Sequence, residues 1–128
     1  IPGLIRRMHD SKIKKEKEFK IWGSGKPLRE FLFVDDLAEA LFFILEKYKQ
    51  LEPINIGSGS EISMKDLATK IKKIIGFNGE LIFNKEYPDG VNRKFLDSSK
   101  IKKLGWKPKT SLDKGLKLTV DWFIKNKC

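Results

Sequence analysis

The sequence contains a single cysteine, Cys128, and a single histidine, His9. One cysteine excludes an internal disulfide, and together with the lack of any Asn-x-Ser/Thr acceptor this predicts a reducing, cytoplasmic location. One cysteine and one histidine at opposite ends of the chain also lack the spacing of a metal-ligand cluster. We therefore expect no bound metal, and we expect His9 to be an ordinary surface residue.

A long apolar run is also lacking. The longest one, over residues 41–45, is far shorter than the roughly 20 residues that cross a bilayer. Residues 1–7 have neither the apolar segment of a signal peptide nor an initiator methionine. The sequence therefore predicts a soluble chain with no membrane partner, which begins inside a longer protein.

Acidic residues are in the minority, with 17 Asp and Glu against 27 Lys and Arg, so the net charge is +10. Because Lys and Arg neutralise phosphates, a basic nucleic-acid-binding module is one hypothesis. However, much of the excess is lysine around a single apolar residue, at residues 12–15, 70–73 and 100–103, which is typical of solvated helix faces. Nor are aromatic residues that could stack on bases interleaved with the lysines. We expect no nucleic-acid partner and keep this module as an alternative.

Apolar spacing and turn residues predict an α/β chain without repeats, in which residues 1–128 form one domain. The two strands near residues 19–22 and 28–34 are predicted to form a hairpin-like pair around the Gly-rich turn 23–27. The further predicted elements are helices over residues 1–15, 37–49, 63–76, 98–104 and 111–126, and strands over residues 53–57, 81–83 and 94–97.

Several residues are predicted to begin or end helices. Asp35 and Asp36 are candidate caps of the helix that follows them, and Ser63 with an acid three residues later forms a capping box. Thr110 or Ser111 is predicted to cap the last helix. These roles also explain the adjacent carboxylates without acid–base chemistry.

The apolar helix over residues 37–49 and the strand over residues 53–57 resemble the last helix and strand of a parallel sheet. No other strands of such a sheet are found in the chain. We therefore expect this helix to be buried between two layers, and we expect the domain to be incomplete in this chain.

Motifs for catalysis and for cofactor binding are lacking. Pro27 follows Gly-Lys where a phosphate-binding loop needs Ser or Thr, and Ile62 stands where a Gly57-x-Gly59 dinucleotide fingerprint needs its third glycine. No Tyr-x-x-x-Lys pair occurs, and the single histidine has no visible partner. We expect no catalytic and no cofactor-binding residues here.

A set of cations with one aromatic residue and one acid could contact a phosphorylated ligand. Arginine suits a diphosphate because its planar guanidinium donates two parallel hydrogen bonds to phosphoryl oxygens, and an indole can cover a base or sugar. From the residues alone, a surface arginine or a tryptophan at the edge of the core is favoured over ligand binding at each position. The candidates are Arg7, Trp22, Arg29, Asp89, Arg93 and Lys94.

Residues 22–38, WGSGKPLREFLFVDDLA, resemble the signature stretch of extended short-chain dehydrogenases that act on nucleotide sugars. The pieces IPGLIRR at 1–7, NIGSG at 55–59, LGWKP at 104–108 and SLDKGL at 111–116 agree with it in order. Residues 87–97, YPDGVNRKFLD, are similar to the GDP-L-fucose synthases in particular. Phe33 departs from the pattern, since relatives often have His or Tyr there, and we expect this change to affect packing more than chemistry.

This resemblance implies the C-terminal substrate-binding lobe of an extended short-chain dehydrogenase, with the last strand and helix of an otherwise missing Rossmann sheet. The family converts GDP-4-keto-6-deoxy-D-mannose to GDP-L-fucose by epimerisation and NADPH-dependent reduction. Its catalytic residues and NADP loop would lie in a missing N-terminal domain, so the resemblance implies that the fragment alone is inactive and binds no NADPH. Cys128 matches no catalytic motif of the family.

The resemblance also assigns roles to the candidates. Arg7 and Arg29 would bind the diphosphate of a GDP-sugar substrate, Trp22 would lie against the nucleotide, and Asp89 would accept hydrogen bonds from it. Arg93 and Lys94 are further substrate-binding candidates, and the full-length protein would be a homodimer. Another nucleotide-sugar epimerase or dehydratase remains an alternative, since it shares residues 29–36 but not the later Pro-Asp-Gly piece.

Overall fold

The computed structural model describes residues 1–126, so Cys128 lies outside the described residues. Helices and strands alternate along the chain, as the predicted α/β class requires. No helix within residues 1–126 is long and apolar enough to span a membrane. In chain order the elements are α1 (Pro2–Ile13), β1 (Glu18–Trp22), β2 (Leu28–Glu30), α2 (Val34–Lys47), β3 (Glu61–Ser63), α3 (Met64–Ile75), β4 (Glu80–Asn84), β5 (Arg93–Lys94), α4 (Ser99–Lys103) and α5 (Leu112–Asn126).

The strands form two small sheets. β1 pairs in parallel with β4, and β2 lies between antiparallel β3 and parallel β5. The predicted hairpin of β1 and β2 is therefore wrong. The intervening loop does not close a hairpin, because its Gly25 and Pro27 carbonyls accept the amides of Lys65 and Met64 at the start of α3. This contact directs β2 into the second sheet.

The main core is formed by one face each of α1, α3 and α5 against the inner face of β1. Burial alternates along β1, and the buried positions of α3 recur at helical spacing, as expected for a half-buried strand and an amphipathic helix. His9 is half-buried rather than an ordinary surface residue, since its side chain is 14% exposed and its imidazole packs edge-on to the Phe123 ring, with 5.4 Å between centroids. The buried cluster consists of Ile5, Met8, Phe19, Ile21, Leu67, Ala68, Ile71, Ile75, Phe77, Leu116 and Val120.

The predicted helix ends are mostly confirmed. The Ser63 hydroxyl oxygen accepts the Asp66 amide at 3.0 Å, and the Ser111 hydroxyl oxygen accepts the Lys114 amide at 3.3 Å. Capping of α2 by Asp35 or Asp36 is wrong, because the helix begins at Val34, three residues before the predicted start, with Phe33 at the N-cap. Both acids lie in its first turn, where their negative charges interact favourably with the positive end of the helix dipole.

Asp36 has a different role from the predicted cap. Its side chain is buried, and its carboxylate accepts hydrogen bonds from the backbone amides of Lys109 and Thr110 and from the Thr110 hydroxyl. A buried carboxylate needs such partners to offset the loss of hydration. Asp36 therefore ties the start of α2 to the loop that precedes α5.

α2 belongs to a second, smaller cluster of Ala40, Ile101 and Trp106. The rest of its apolar surface is open: Phe42 is 71% exposed and Leu45 is 73% exposed. The prediction that α2 is buried between two layers is therefore wrong for the described residues.

Residues 53–57 do not form the predicted strand with any other described residue. A strand is defined by hydrogen bonds to a neighbouring strand, and no described segment pairs with these residues. Ile54 and Ile56 nevertheless pack against the second cluster. The segment therefore lies beside α2 as predicted, but without the sheet neighbours that would make it a strand.

Candidate functional site

Two loops meet at one end of the β1–β4 sheet. Because β1 and β4 are parallel, the chain leaves both strands at the same edge, and the Gly23 amide donates to the Asn84 carbonyl at 2.8 Å. The Asp89 carboxylate then accepts the Ser24 amide at 2.7 Å and the Ser24 hydroxyl at 2.5 Å. These hydrogen bonds lower the pKa of Asp89. Asp89 therefore joins the loop after β1 to the loop after β4.

Glycine is required at position 23 for this junction. Gly23 has φ +84°, and a Cβ atom there would collide with the Asp89 carboxylate. A side chain at this position would be strained by the backbone and would also push the two loops apart. The resemblance had assigned Asp89 to the nucleotide, whereas in the structure both of its oxygens are bound to Ser24.

An exposed aromatic pair lies beside this junction. The indole of Trp22, the last residue of β1, stacks on the ring of Tyr87, with 4.8 Å between centroids and 15° between planes. Trp22 is 68% exposed and Tyr87 is 44% exposed. Sequence reasoning missed Tyr87. The available signal was its place three residues beyond β4, next to Pro-Asp-Gly, but using it required the parallel pairing of β1 with β4.

Two cations lie side by side on the second sheet. Arg29 of β2 is in register with Lys94 of β5, and the Arg29 guanidinium approaches Gly90 of the loop after β4. Arg29 donates only to the Leu28 carbonyl, at 2.7 Å, and neither cation forms an ion pair within residues 1–126. Two neighbouring positive charges without a carboxylate partner suit an anion such as a diphosphate.

Arg93 is engaged differently. Its Nε and Nη2 atoms donate to the two carboxylate oxygens of Glu61, both at 2.7 Å, and its guanidinium lies over the Phe95 ring at 5.0 Å. The hydrogen bonds to Arg93 lower the pKa of Glu61, and those to Glu61 raise the pKa of Arg93. This bidentate pair connects β3 to β5 across β2, so it stabilises the sheet that carries Arg29.

Arg7 lies apart from the other candidates. Its guanidinium is 5.4 Å from the centroid of Phe19, near the start of β1, whereas Trp22 ends that strand. Three residues of extended chain span about 10 Å, and side chains an odd number of residues apart project from opposite faces. The structure thus places Asp89 beside Trp22 at the end of β1 and Arg29 beside Lys94 on the second sheet, and the loop over residues 87–90 links the two groups. Arg93 lies at the edge of the second group, and Arg7 lies on the α1 side.

Glu30 fixes the loops next to this region, and sequence reasoning missed it. One carboxylate oxygen accepts the Gly59 amide at 2.6 Å and the Ser58 hydroxyl at 3.3 Å, and the other accepts the Leu96 amide at 3.1 Å. A Cβ atom on Gly57 would also collide with this carboxylate. Glu30 therefore fastens the loop over residues 57–59 and the segment after β5 to the strand that carries Arg29.

Within residues 1–126, no group of three or more His, Cys, Asp or Glu side chains is placed to hold a metal ion. The Gly-x-Gly turn over residues 57–59 does not suit the pyrophosphate of a dinucleotide either. A pyrophosphate would need the backbone amides of such a turn, but the Gly59 amide already donates to the Glu30 carboxylate. The described residues therefore favour an anionic ligand near Arg29 and do not fit a dinucleotide at this turn.

Comparison with known proteins shows what this chain is similar to. The NAD dependent epimerase/dehydratase family matches residues 1–57. GDP-L-fucose synthase 1 of Arabidopsis thaliana is 50% identical over 128 residues, which are 100% of this chain and 40% of its own length. The probable GDP-L-fucose synthase 1 of Oryza sativa subsp. japonica is 49% identical over 126 residues, 98% of this chain and 38% of its own.

A solved structure is similar to this chain in both fold and sequence. The GDP-L-fucose synthetase from Naegleria fowleri bound to NADP superposes with a TM-score of 0.93 at 31% identity, over 98% of this chain and 40% of that one. The chain thus has the α/β fold of the extended short-chain dehydrogenases and matches the C-terminal portion of their chains. Its sequence is similar to those of the GDP-L-fucose synthases, which confirms the predicted resemblance. It spans about 40% of the length of the relatives it matches.

Proposed function

We propose that this chain is the substrate-binding part of an enzyme that converts GDP-4-keto-6-deoxy-D-mannose to GDP-L-fucose by epimerisation and NADPH-dependent reduction. The observation that carries the proposal is the pair of unneutralised cations, Arg29 and Lys94, with the Arg29 guanidinium close to Gly90 in the loop whose Tyr87 stacks on Trp22. A nucleotide sugar has a planar base and a diphosphate, which are the groups that such a surface can bind.

The diphosphate lies, in this proposal, against Arg29 and Lys94. Asp89 acts mainly by fixing the loop beside them, and Arg93 acts by fixing β5 through Glu61. Arg7 enters on the resemblance alone, because its guanidinium packs on Phe19 in the structure. Binding of the diphosphate by Arg7 would require this side chain to leave the Phe19 ring.

The remainder of the enzyme is proposed to supply the reaction. NADPH and the catalytic groups would belong to a portion outside this chain, since the relatives are about two and a half times as long. The exposed apolar face of α2, with Phe42 and Leu45, supports such a portion, because a large open apolar surface usually marks a contact. Residues 53–57 would gain their missing strand neighbours there.

The test of the function uses the full-length protein and Arg29→Ala. We expect GDP-sugar-dependent NADPH oxidation in the parent and a rise of at least about tenfold in the KM for the GDP-sugar in the variant, since one charge-assisted bidentate contact is worth roughly that factor. Lys20→Ala is the control, because it removes an exposed cation from β1. A parent protein that does not oxidise NADPH with this substrate would contradict the proposal.

Competition separates the alternatives. GDP should inhibit the full-length enzyme more strongly than UDP or dTDP, whereas the reverse order would favour another nucleotide-sugar epimerase or dehydratase. None of the relatives reported above supports the nucleic-acid module.

We further propose, on the resemblance alone, a homodimer in the cytoplasm, which light scattering and cell fractionation of the full-length protein can test.

A further inference from the structure

We propose that Trp22 and Tyr87 form a preassembled platform for the nucleotide base, in which Tyr87 is a positioning residue that holds the indole in place. This inference rests on the proposed function. The two rings stack with 4.8 Å between centroids and 15° between planes. One face of the indole is therefore covered by Tyr87, while Trp22 as a whole stays 68% exposed, which leaves room for a second flat ring.

The two rings are positioned by hydrogen bonds between the backbones and loops that carry them, not by burial. Trp22 is in register with Asn84, and the next residue, Gly23, donates its amide to the Asn84 carbonyl. Two residues beyond Tyr87, Asp89 binds both donors of Ser24. The backbones that carry the two rings are therefore joined on both sides of the stack, although the rings themselves are open to solvent.

Arg29 and Lys94 determine the orientation in which a nucleotide would bind to the platform. The Arg29 guanidinium approaches Gly90, which lies three residues after Tyr87 along the same loop. A diphosphate bound by Arg29 and Lys94 would thus place the base of the same nucleotide toward the end of β1, over Trp22. Stacking accepts any flat base, so the platform contributes affinity for the nucleotide more than selection of its base.

A positioning residue predicts a particular set of kinetic changes. In the full-length enzyme, Tyr87→Ala should raise the inhibition constant of GDP and the KM for the GDP-sugar about tenfold, which is in the range of one base–aromatic stack. The kcat and the KM for NADPH should stay unchanged. Tyr87→Phe should restore parental values, because the Tyr87 hydroxyl has no partner among residues 1–126 and a phenyl ring can stack equally well.

Non-additivity tests whether Tyr87 acts through Trp22. If Tyr87 only holds the indole, the double variant Trp22→Ala/Tyr87→Ala should bind GDP no more weakly than Trp22→Ala alone. Tyr48→Ala is the matched control, since it truncates a tyrosine at the end of α2 whose hydroxyl donates to the Glu52 carbonyl. We expect no change in GDP inhibition for this control.

The outcomes distinguish this inference from the proposed function. If Arg29→Ala weakens GDP inhibition but Tyr87→Ala does not, the platform is wrong and the function stands. Additive losses in the double variant also overturn the positioning role, because Tyr87 would then contact the ligand independently. If GDP does not inhibit the parent enzyme, the proposed function fails first. Unchanged melting temperatures of the variants would confirm that they fold.

Discussion

The two clusters of this chain differ in how completely they are covered. In the main core, Leu67 and Ile71 of α3 have no exposed surface, because α1, α5 and β1 enclose them. Around α2, the buried apolar residues are Ala40, Ile101 and Trp106, and the neighbouring Phe42 and Leu45 remain open. The first region is a finished core, whereas the second has the composition of a core and the exposure of a surface.

The difference indicates which part of the chain can fold without help. Burial of apolar area contributes about 25 cal/mol per Å², so the enclosed α3 face stabilises the fold as the chain stands. The open α2 face contributes nothing comparable until something covers it. The candidate site lies between these regions, with Trp22 on the strand of the main core and Glu30 fastened to the loop beside the second cluster.

The largest expected effect comes from truncation in the main core. Leu67→Ala should destabilise this chain by about 2–5 kcal/mol, because it removes buried methyl groups and leaves a cavity. Thermal unfolding followed by circular dichroism should show a melting temperature lower by roughly 10 °C or more. A loss below about 1 kcal/mol would mean that the core around α3 is less closely packed than the structure indicates.

Truncation on α2 should give the opposite result in this chain. Phe42→Ser should leave the melting temperature of residues 1–128 nearly unchanged, because the ring is exposed and loses little contact. In the full-length protein the same change should cost about 1–3 kcal/mol, the value of a buried phenyl group. Equal effects in the two proteins would show that no other portion of the protein covers this face.

A smaller effect is expected where the two regions are joined. Glu30→Gln keeps the shape of the side chain but replaces one acceptor oxygen by an NH2 group, which must face the Gly59 or Leu96 amide. We expect a loss of about 1–2 kcal/mol, because one backbone amide is left without its acceptor. Urea unfolding measures it, and Glu46→Gln, an exposed carboxylate of α2 that forms no ion pair within residues 1–126, serves as the control. Parental stability for Glu30→Gln would contradict the fastening role.

Local signals explain which parts of the fold were predictable. Ser63 and Asp66 act on residues three positions apart, and Gly76 ends α3 in the left-handed conformation that glycine favours, so the sequence alone sufficed. The partner of β1 was not predictable in this way. Whether β1 pairs with β2 or β4 depends on the contact between Gly25 and Lys65, which are 40 positions apart.

The candidate site follows the same division. Arg29 could be predicted as a candidate because its residue type and its sequence context both point to a phosphate, and its role stays a prediction. Tyr87 was not, since its partner Trp22 lies on a distant strand and the stack exists only through the parallel pairing of β1 with β4. Asp89 was identified as a site residue, but its hydrogen bonds to Ser24 across the two loops were not foreseen.

The smallest expected effect is the pH dependence of the loop junction. Hydrogen bonds from Ser24 lower the pKa of Asp89 below its ordinary value of 3.8. The junction therefore stabilises the fold fully above that value. Its contribution is lost as the pH falls through the lower folded pKa, because the unfolded state binds the proton more strongly and protonation favours unfolding. The Asp89→Asn variant should lack this part of the acid-induced loss.

The measurement compares the two proteins at several pH values. Urea unfolding of the parent and of Asp89→Asn between about pH 2 and pH 7 should give curves that differ most at neutral pH and converge below the ordinary aspartate range. Asp121→Asn, on the exposed side of α5, provides a carboxylate without such partners. If the curves of the parent and Asp89→Asn stay parallel across the acid range, Asp89 does not hold the two loops through its charge, and the support beneath the Trp22–Tyr87 stack must come from the strand pairing alone.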